Sequence, residues 1–163
     1  MIHPILRHPD PVLTTPCALV GEITDDIRTL AANMLETMYA APGRGLAAPQ
    51  IGVSFRLFVM DPGWKEGRPE PLVAINPSIT PLGEDMATAD EGCLSIPGIT
   101  TAITRPARIL LNYIDTEGRR HSTELTGFAA ACAQHEADHL DGILTLDRLS
   151  AADRAKAESE YAA

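Results

Sequence analysis

At 163 residues, with 45% hydrophobic and 21% charged side chains, the chain has the size and composition of one globular domain, 1–163, and is not disordered, collagenous or coiled-coil as a whole. Thirteen Lys and Arg against 22 Asp and Glu leave a net charge of −9, which repels phosphate backbones and argues against nucleic-acid binding. No apolar run approaches the roughly 18 residues of a membrane span, no secretory leader is visible, and Cys17, Cys93 and Cys132 are an odd set, so a cytoplasmic protein with buried or metal-bound thiols is expected.

Residues 1–23 are expected to form an extended arm, because Pro4, Pro9, Pro11 and Pro16 each remove a backbone donor. A helix then starts at Thr24 or Asp25, with Asp25 and Asp26 suited to the positive end of its dipole. Ile27, Leu30, Ala31, Met34, Leu35 and Met38 recur at helical spacing until Pro42 and Gly43 end it. Strands are expected at Phe55–Met60, Leu72–Ile75 and Ile109–Ile114. The polar Pro/Gly stretch 61–71 between the first two is the least ordered internal segment on composition. Asp115–Gly118 is a hairpin turn leading to a strand at His121–Leu125. A second helix is expected from about Phe128 to Asp141, with Gly142 as its left-handed stop, and a short helix from Ser150. Separated strands and helices predict an α+β fold.

His135 and His139 lie four apart, so on a helix both rings project from one face toward one point. Two nitrogens so placed suit a metal ion, and Glu136 between them can accept and return a proton beside it. The third ligand is open on spacing alone. Glu158 and Glu160 stand about twenty residues on, as in gluzincins, but in a tail where order is least expected. Cys132 is two turns from His139, about 10.5 Å of rise, too far to share the ion, and is better explained as a core thiol. Cys93, in a turn-like segment, is free to approach from another element, and thiolate is a strong ligand for zinc or ferrous iron.

Three segments taken together, GRGLAAPQIG (Gly43–Gly52), EGCLS (Glu91–Ser95) and QHEADH (Gln134–His139), resemble the three motifs of peptide deformylases. The resemblance implies antiparallel sheets around a central helix that carries His135 and His139. Cys93, His135 and His139 would hold one divalent ion, with ferrous iron expected and zinc or nickel as substitutes. The substrate would be an N-formyl-methionyl peptide of a newly made protein, and formate a product. Glu136 would act as base and then acid, and the Gln50 side-chain amide and Leu94 backbone N–H as oxyanion donors. A peptide would pair with Gly43–Leu46 as an added strand, with the Gly45 carbonyl accepting its amide. Glu91 would orient neighbours of the metal, and Phe128, Ala131 and Cys132 would line the methionine pocket.

Some positions depart from the family pattern. Arg44 replaces a small or aliphatic residue and could contact substrate or narrow the entrance. Residues 98–101 lack an arginine that some members carry, and Ala131 is small. The tail after Leu149 is short and acid-rich, with Asp153, Glu158 and Glu160 against Arg154 and Lys156, which argues against ribosome docking through the longer basic helix that bacterial members often carry there. Three alternatives stay open at this point: another N-acylated substrate, a non-catalytic peptide-binding relative, and a zinc endopeptidase using Glu158 or Glu160.

Overall fold

The computed structural model describes residues 1–163. The proline-rich arm forms no strand or α-helix and makes one short 3₁₀ turn at Pro11–Thr14, opened by the Asp10 carboxylate accepting from the Val12 N–H. Helix α1 (Asp25–Ala40) begins where expected, and the Thr24 hydroxyl accepts from the Ile27 N–H at 3.3 Å. Its periodic face buries Ile27, Ala31, Met34 and Met38. The chain leaves the helix at Ala41, just before Pro42.

The main sheet has five antiparallel strands in the order β1 (Gly45–Ala47), β2 (Leu57–Met60), β3 (Leu72–Pro81), β6 (Arg108–Ile114) and β7 (Arg120–Thr126). All four residues of β2 are buried, because each face of the sheet carries a helix. Leu57 and Val59 meet Met34 and Met38 of α1 in one cluster. Phe58 and Met60 meet Ala130, Ala133 and Leu140 of the second long helix, α2 (Gly127–Leu140), in another. That split is the two-residue alternation of a strand, and each such side chain contributes about 1.5–3 kcal/mol by leaving water.

A separate hairpin, β4 (Met86–Cys93) with β5 (Ile96–Pro106), forms a two-stranded sheet. It was not foreseen. Most of β4 is exposed, so it lacks the apolar alternation that marks a strand. Cys93 therefore closes a strand rather than lying in a free turn-like segment. Two other differences concern boundaries. Strand β3 runs on to Pro81 past a bulge between Ile75 and Ser78, where Asn76 takes φ 50, and β1 is a three-residue strand inside the glycine segment.

The tail is ordered, contrary to the expectation for Glu158 and Glu160. Ser150 caps helix α3 (Ala151–Ala162) by accepting from the Asp153 N–H at 3.2 Å. Ala157 of α3 packs with Leu13, Ile96, Leu144 and Leu146 in a third buried cluster. The 61–71 stretch is likewise held in place: the Trp64 indole donates to the Gly43 carbonyl at 2.9 Å, and Tyr39 donates to Asp61.

Candidate metal centre and active site

Helix α2 crosses the sheet with Gln134, His135, Glu136, Asp138 and His139 all buried. The two imidazoles sit edge to face, with centroids 5.1 Å apart. Cys93 is delivered from the end of β4, where a bulge after Gly92 and the buried Ile96 fix the turn. Its Sγ is 3.4 Å from His139 Nε2, and one donor atom from each of Cys93, His135 and His139 lies within 4.8 Å of the others. A tetrahedral ion with metal–sulfur near 2.3 Å and metal–nitrogen near 2.0–2.1 Å separates its S and N ligands by about 3.5 Å. The donor set therefore fits a small divalent cation. Neither Glu158 nor Glu160 belongs to this cluster, and Glu158 pairs with Arg154 on α3 instead.

The charges around the cluster favour a cation. Burial works against the charged form of His135, but the neighbouring Glu136 carboxylate and hydrogen bonds to Cys93 and Glu91 outweigh it, and its pKa stands well above the ordinary 6.5. His139 is held neutral by burial and by His135. Burial pushes the Glu136 carboxyl up to about 7, with His135 pulling the other way. Glu136 Oε1 is buried with no hydrogen-bond partner in the protein, so one acceptor beside the cluster is left unsatisfied.

His135 is fixed from behind. Its Nδ1 is 3.0 Å from Glu91 Oε1, and Arg105 of β5 grips both Glu91 oxygens at 2.7 and 2.9 Å. Burial would raise Glu91, but its bonds from Arg105 and His135 hold it below the ordinary carboxylate range. Arg105 also reaches Asp138 at 2.9 Å. Sequence reasoning singled out neither Arg105 nor Asp138. Arg105 sits in an unforeseen strand, and Asp138 lay unweighed inside the histidine motif.

The Gln50 amide is pinned from both ends. Its Oε1 accepts from the Ala47 N–H at 2.9 Å, and its Nε2 donates to Ser95 Oγ at 3.0 Å and lies 3.8 Å from Cys93 Sγ. With the oxygen and one N–H held, a single N–H remains on the Cys93 side. Ser95, fully buried, is a further residue that sequence reasoning missed. Leu94 stands between Cys93 and Ser95 in the same turn.

A cleft of about 880 Å³ opens over these groups and is lined by Gly43, Arg44, Gly45, Phe128, Ala131 and Cys132, together with Gln50, Glu91, Cys93, Leu94, His135 and Glu136. That size accommodates a small ligand or a short peptide. The Arg44 carbonyl accepts from the Asp61 N–H at 2.9 Å, so by antiparallel alternation the Gly45 amide and carbonyl face away from β2. A Cβ on Gly45 would run into the Glu136 carboxyl group, and one on Gly43 would lie 2.7 Å from Leu94 Cδ1. Absent side chains at these glycines leave room for the acid and for a second strand. The Arg44 guanidinium is engaged within the protein: it pairs with Glu66 at 2.8 Å and lies 5.1 Å from the centre of the Phe128 ring. Cys132 is buried against the Arg44 carbonyl, and burial raises its thiol pKa well above the ordinary value.

A Cys/His/His cluster able to hold a metal ion, an adjacent carboxyl group, a pinned amide and an outward-facing strand edge thus meet at one cleft. The family model described as polypeptide deformylase matches residues 2–155. The chain is 50% identical over 147 residues to a peptide deformylase of Acinetobacter baumannii, spanning 90% of this chain and 82% of that one. Among solved structures, a peptide deformylase from Legionella pneumophila superposes with TM-score 0.92 at 36% identity, covering 99% of this chain and 94% of the other. One from Synechococcus elongatus, in complex with actinonin, gives 0.91 at 38% identity over 97% and 86%. The chain belongs to the polypeptide deformylase family, and it is a metal-dependent hydrolase of the α+β deformylase fold.

Proposed function

We propose that the cleft hydrolyses the N-formyl group of N-formyl-methionyl peptides on newly synthesised proteins, releasing formate and a free amino terminus. The carrying observation is the convergence of Cys93, His135 and His139 beside Glu136, with the Gln50 amide pinned opposite. Cys93, His135 and His139 would hold a divalent ion, and that ion would supply Lewis acidity to make water a better nucleophile near neutral pH. Ferrous iron is the ion we assign, with zinc or nickel as substitutes, since one thiolate and two imidazoles suit all three.

The peptide pairs with the outward edge at Gly45, which aligns the formyl group over the metal helix. The methionine side chain enters between Phe128, Ala131 and Cys132. Glu136 accepts the proton of the attacking water as the new C–O bond forms. The Gln50 N–H on the Cys93 side and the Leu94 N–H stabilise the developing oxyanion. As the C–N bond breaks, Glu136 passes its proton to the departing amine. The reaction belongs to the cytoplasm, where peptides are made. No helix is long and apolar enough to cross a membrane. Helix α3 bears Asp153, Glu158 and Glu160 against Arg154 and Lys156, and we assign it no part in ribosome docking.

The test is formate release from formyl-Met-Ala-Ser by protein purified without oxygen, with metal content measured on the same sample. Turnover with one ion per chain is expected. Fully loaded protein that leaves this peptide intact while cleaving another N-acyl substrate would overturn the substrate assignment.

A further inference from the structure

We propose that Arg148 is a positioning residue for the metal centre, the outer end of a line of charged groups that fixes the His135 ring from behind. This rests on the metal centre proposed above. Arg148 lies outside the three motifs and does not line the substrate cleft. Gly142, at φ 75, turns the chain back after α2, and the buried Leu144 and Leu146 anchor the returning segment. Arg148 Nε and Nη2 then donate to the two oxygens of Asp138 at 3.1 and 2.7 Å. Asp138 accepts once more, from Arg105 at 2.9 Å; Arg105 holds Glu91, and Glu91 holds His135.

Arg148 thus supplies two of the three side-chain hydrogen bonds to the Asp138 carboxylate, including the only one to Oδ1. Asp138, Arg105 and Arg148 also border a second cavity of about 310 Å³, away from the substrate cleft. Two guanidiniums balance the carboxylates of Glu91 and Asp138. Without Arg148 the buried groups carry surplus negative charge, Asp138 keeps one donor, and Arg105 is no longer held in one orientation for Glu91. Partners behind a ligating histidine typically change metal affinity 10–100-fold when removed. A group two steps further out belongs at the lower end of that range.

The experiment compares zinc-loaded wild type with Arg148→Ala, Arg148→Lys and Arg108→Ala, which breaks an exposed Arg108–Glu124 pair between β6 and β7 that has no bond to Asp138, Arg105 or Glu91. The readouts are the rate of zinc loss to excess chelator, the visible spectrum of the cobalt form and the melting temperature. Arg148→Ala should lose zinc about tenfold faster and shift the cobalt bands, at the lower end of the effect of such partners. Arg148→Lys should fall between, because an ammonium cannot grip both oxygens as a fork does. Arg108→Ala should match wild type in zinc loss. A folded Arg148→Ala that releases zinc at the wild-type rate, or an equal effect from Arg108→Ala, refutes the role. If Arg148→Ala does not fold, wild-type zinc loss in Arg148→Lys refutes it. Wild-type protein that holds no zinc removes the metal centre itself, and this role with it.

Discussion

Helices α1 and α2 lie on opposite faces of one sheet and are buried for different reasons. α1 presents one stripe, Ile27, Ala31, Met34 and Met38, and leaves its other side to solvent. α2 is buried along most of its length, and five of its nine buried residues are polar or charged. A stripe of the first kind stabilises the fold through area removed from water. A buried run of the second kind stabilises nothing unless each group finds a partner. In α2 those partners are Glu91, Arg105 and Arg148 from other elements, and Cys93 across the cluster. Glu136 Oε1 and His139 Nδ1 are the two buried side-chain atoms of α2 left without a partner. The difference separates a helix that holds the molecule together from one that the molecule is built to hold.

Substitutions of His135, Glu136 and His139 on α2 should therefore alter chemistry more than folding, and those on the apolar stripe of α1 should do the reverse. Glu136→Gln should lower kcat about 10⁴-fold, the upper end for a general acid–base group, with metal content unchanged. A loss below tenfold would break the assignment. In the wild type, kcat/KM should rise with pH as Glu136 ionises. Burial raises this group from 4.5 to about 7 and a nearby cation lowers it, so the acid limb should fall between those values. A limb at or below 4.5 would point to a different base. Gln50→Leu should cost about 10²–10³ in kcat, as for other oxyanion donors, with KM little changed. Met34→Ala on α1 should lower stability by about 2–5 kcal/mol in thermal or denaturant melts, while metal binding and kcat below the melt stay as in wild type. Ser95→Ala frees one end of the Gln50 amide, a loss of about 1 kcal/mol for one hydrogen bond. It should appear as a several-fold drop in kcat without a change in metal content.

The two helices also differ in how they could be read from sequence. α1 announces itself by period and by its Thr24 cap, and both ends fall where those signals put them. α2 was legible through His135, Glu136 and His139, residues that are costly to bury without a purpose. Cys93, Gln50 and Glu91 were legible only as parts of short motifs, since nothing local says that three separate segments meet. The β4–β5 hairpin left no trace because β4 is mostly exposed and β5 buries only scattered residues such as Ile96 and Ile103, so neither shows an apolar alternation. Arg105 and Arg148 were invisible for a related reason. Each is an ordinary arginine locally, and its partner lies 14 residues away for Arg105–Glu91 and 10 for Arg148–Asp138. Arg44 was expected near the pocket mouth, and it lines the cleft, but its pairing with Glu66 of the 61–71 stretch and its place over the Phe128 ring of α2 exist only once those segments meet.

The central claim is that a sulfur from β4 and two nitrogens from α2 bind one cation. X-ray absorption on the zinc-loaded protein reads that directly. One sulfur near 2.3 Å and nitrogen or oxygen neighbours near 2.0–2.1 Å, with the sulfur shell lost in Cys93→Ser, is the predicted result. A zinc shell of nitrogen and oxygen alone in the wild type would contradict it.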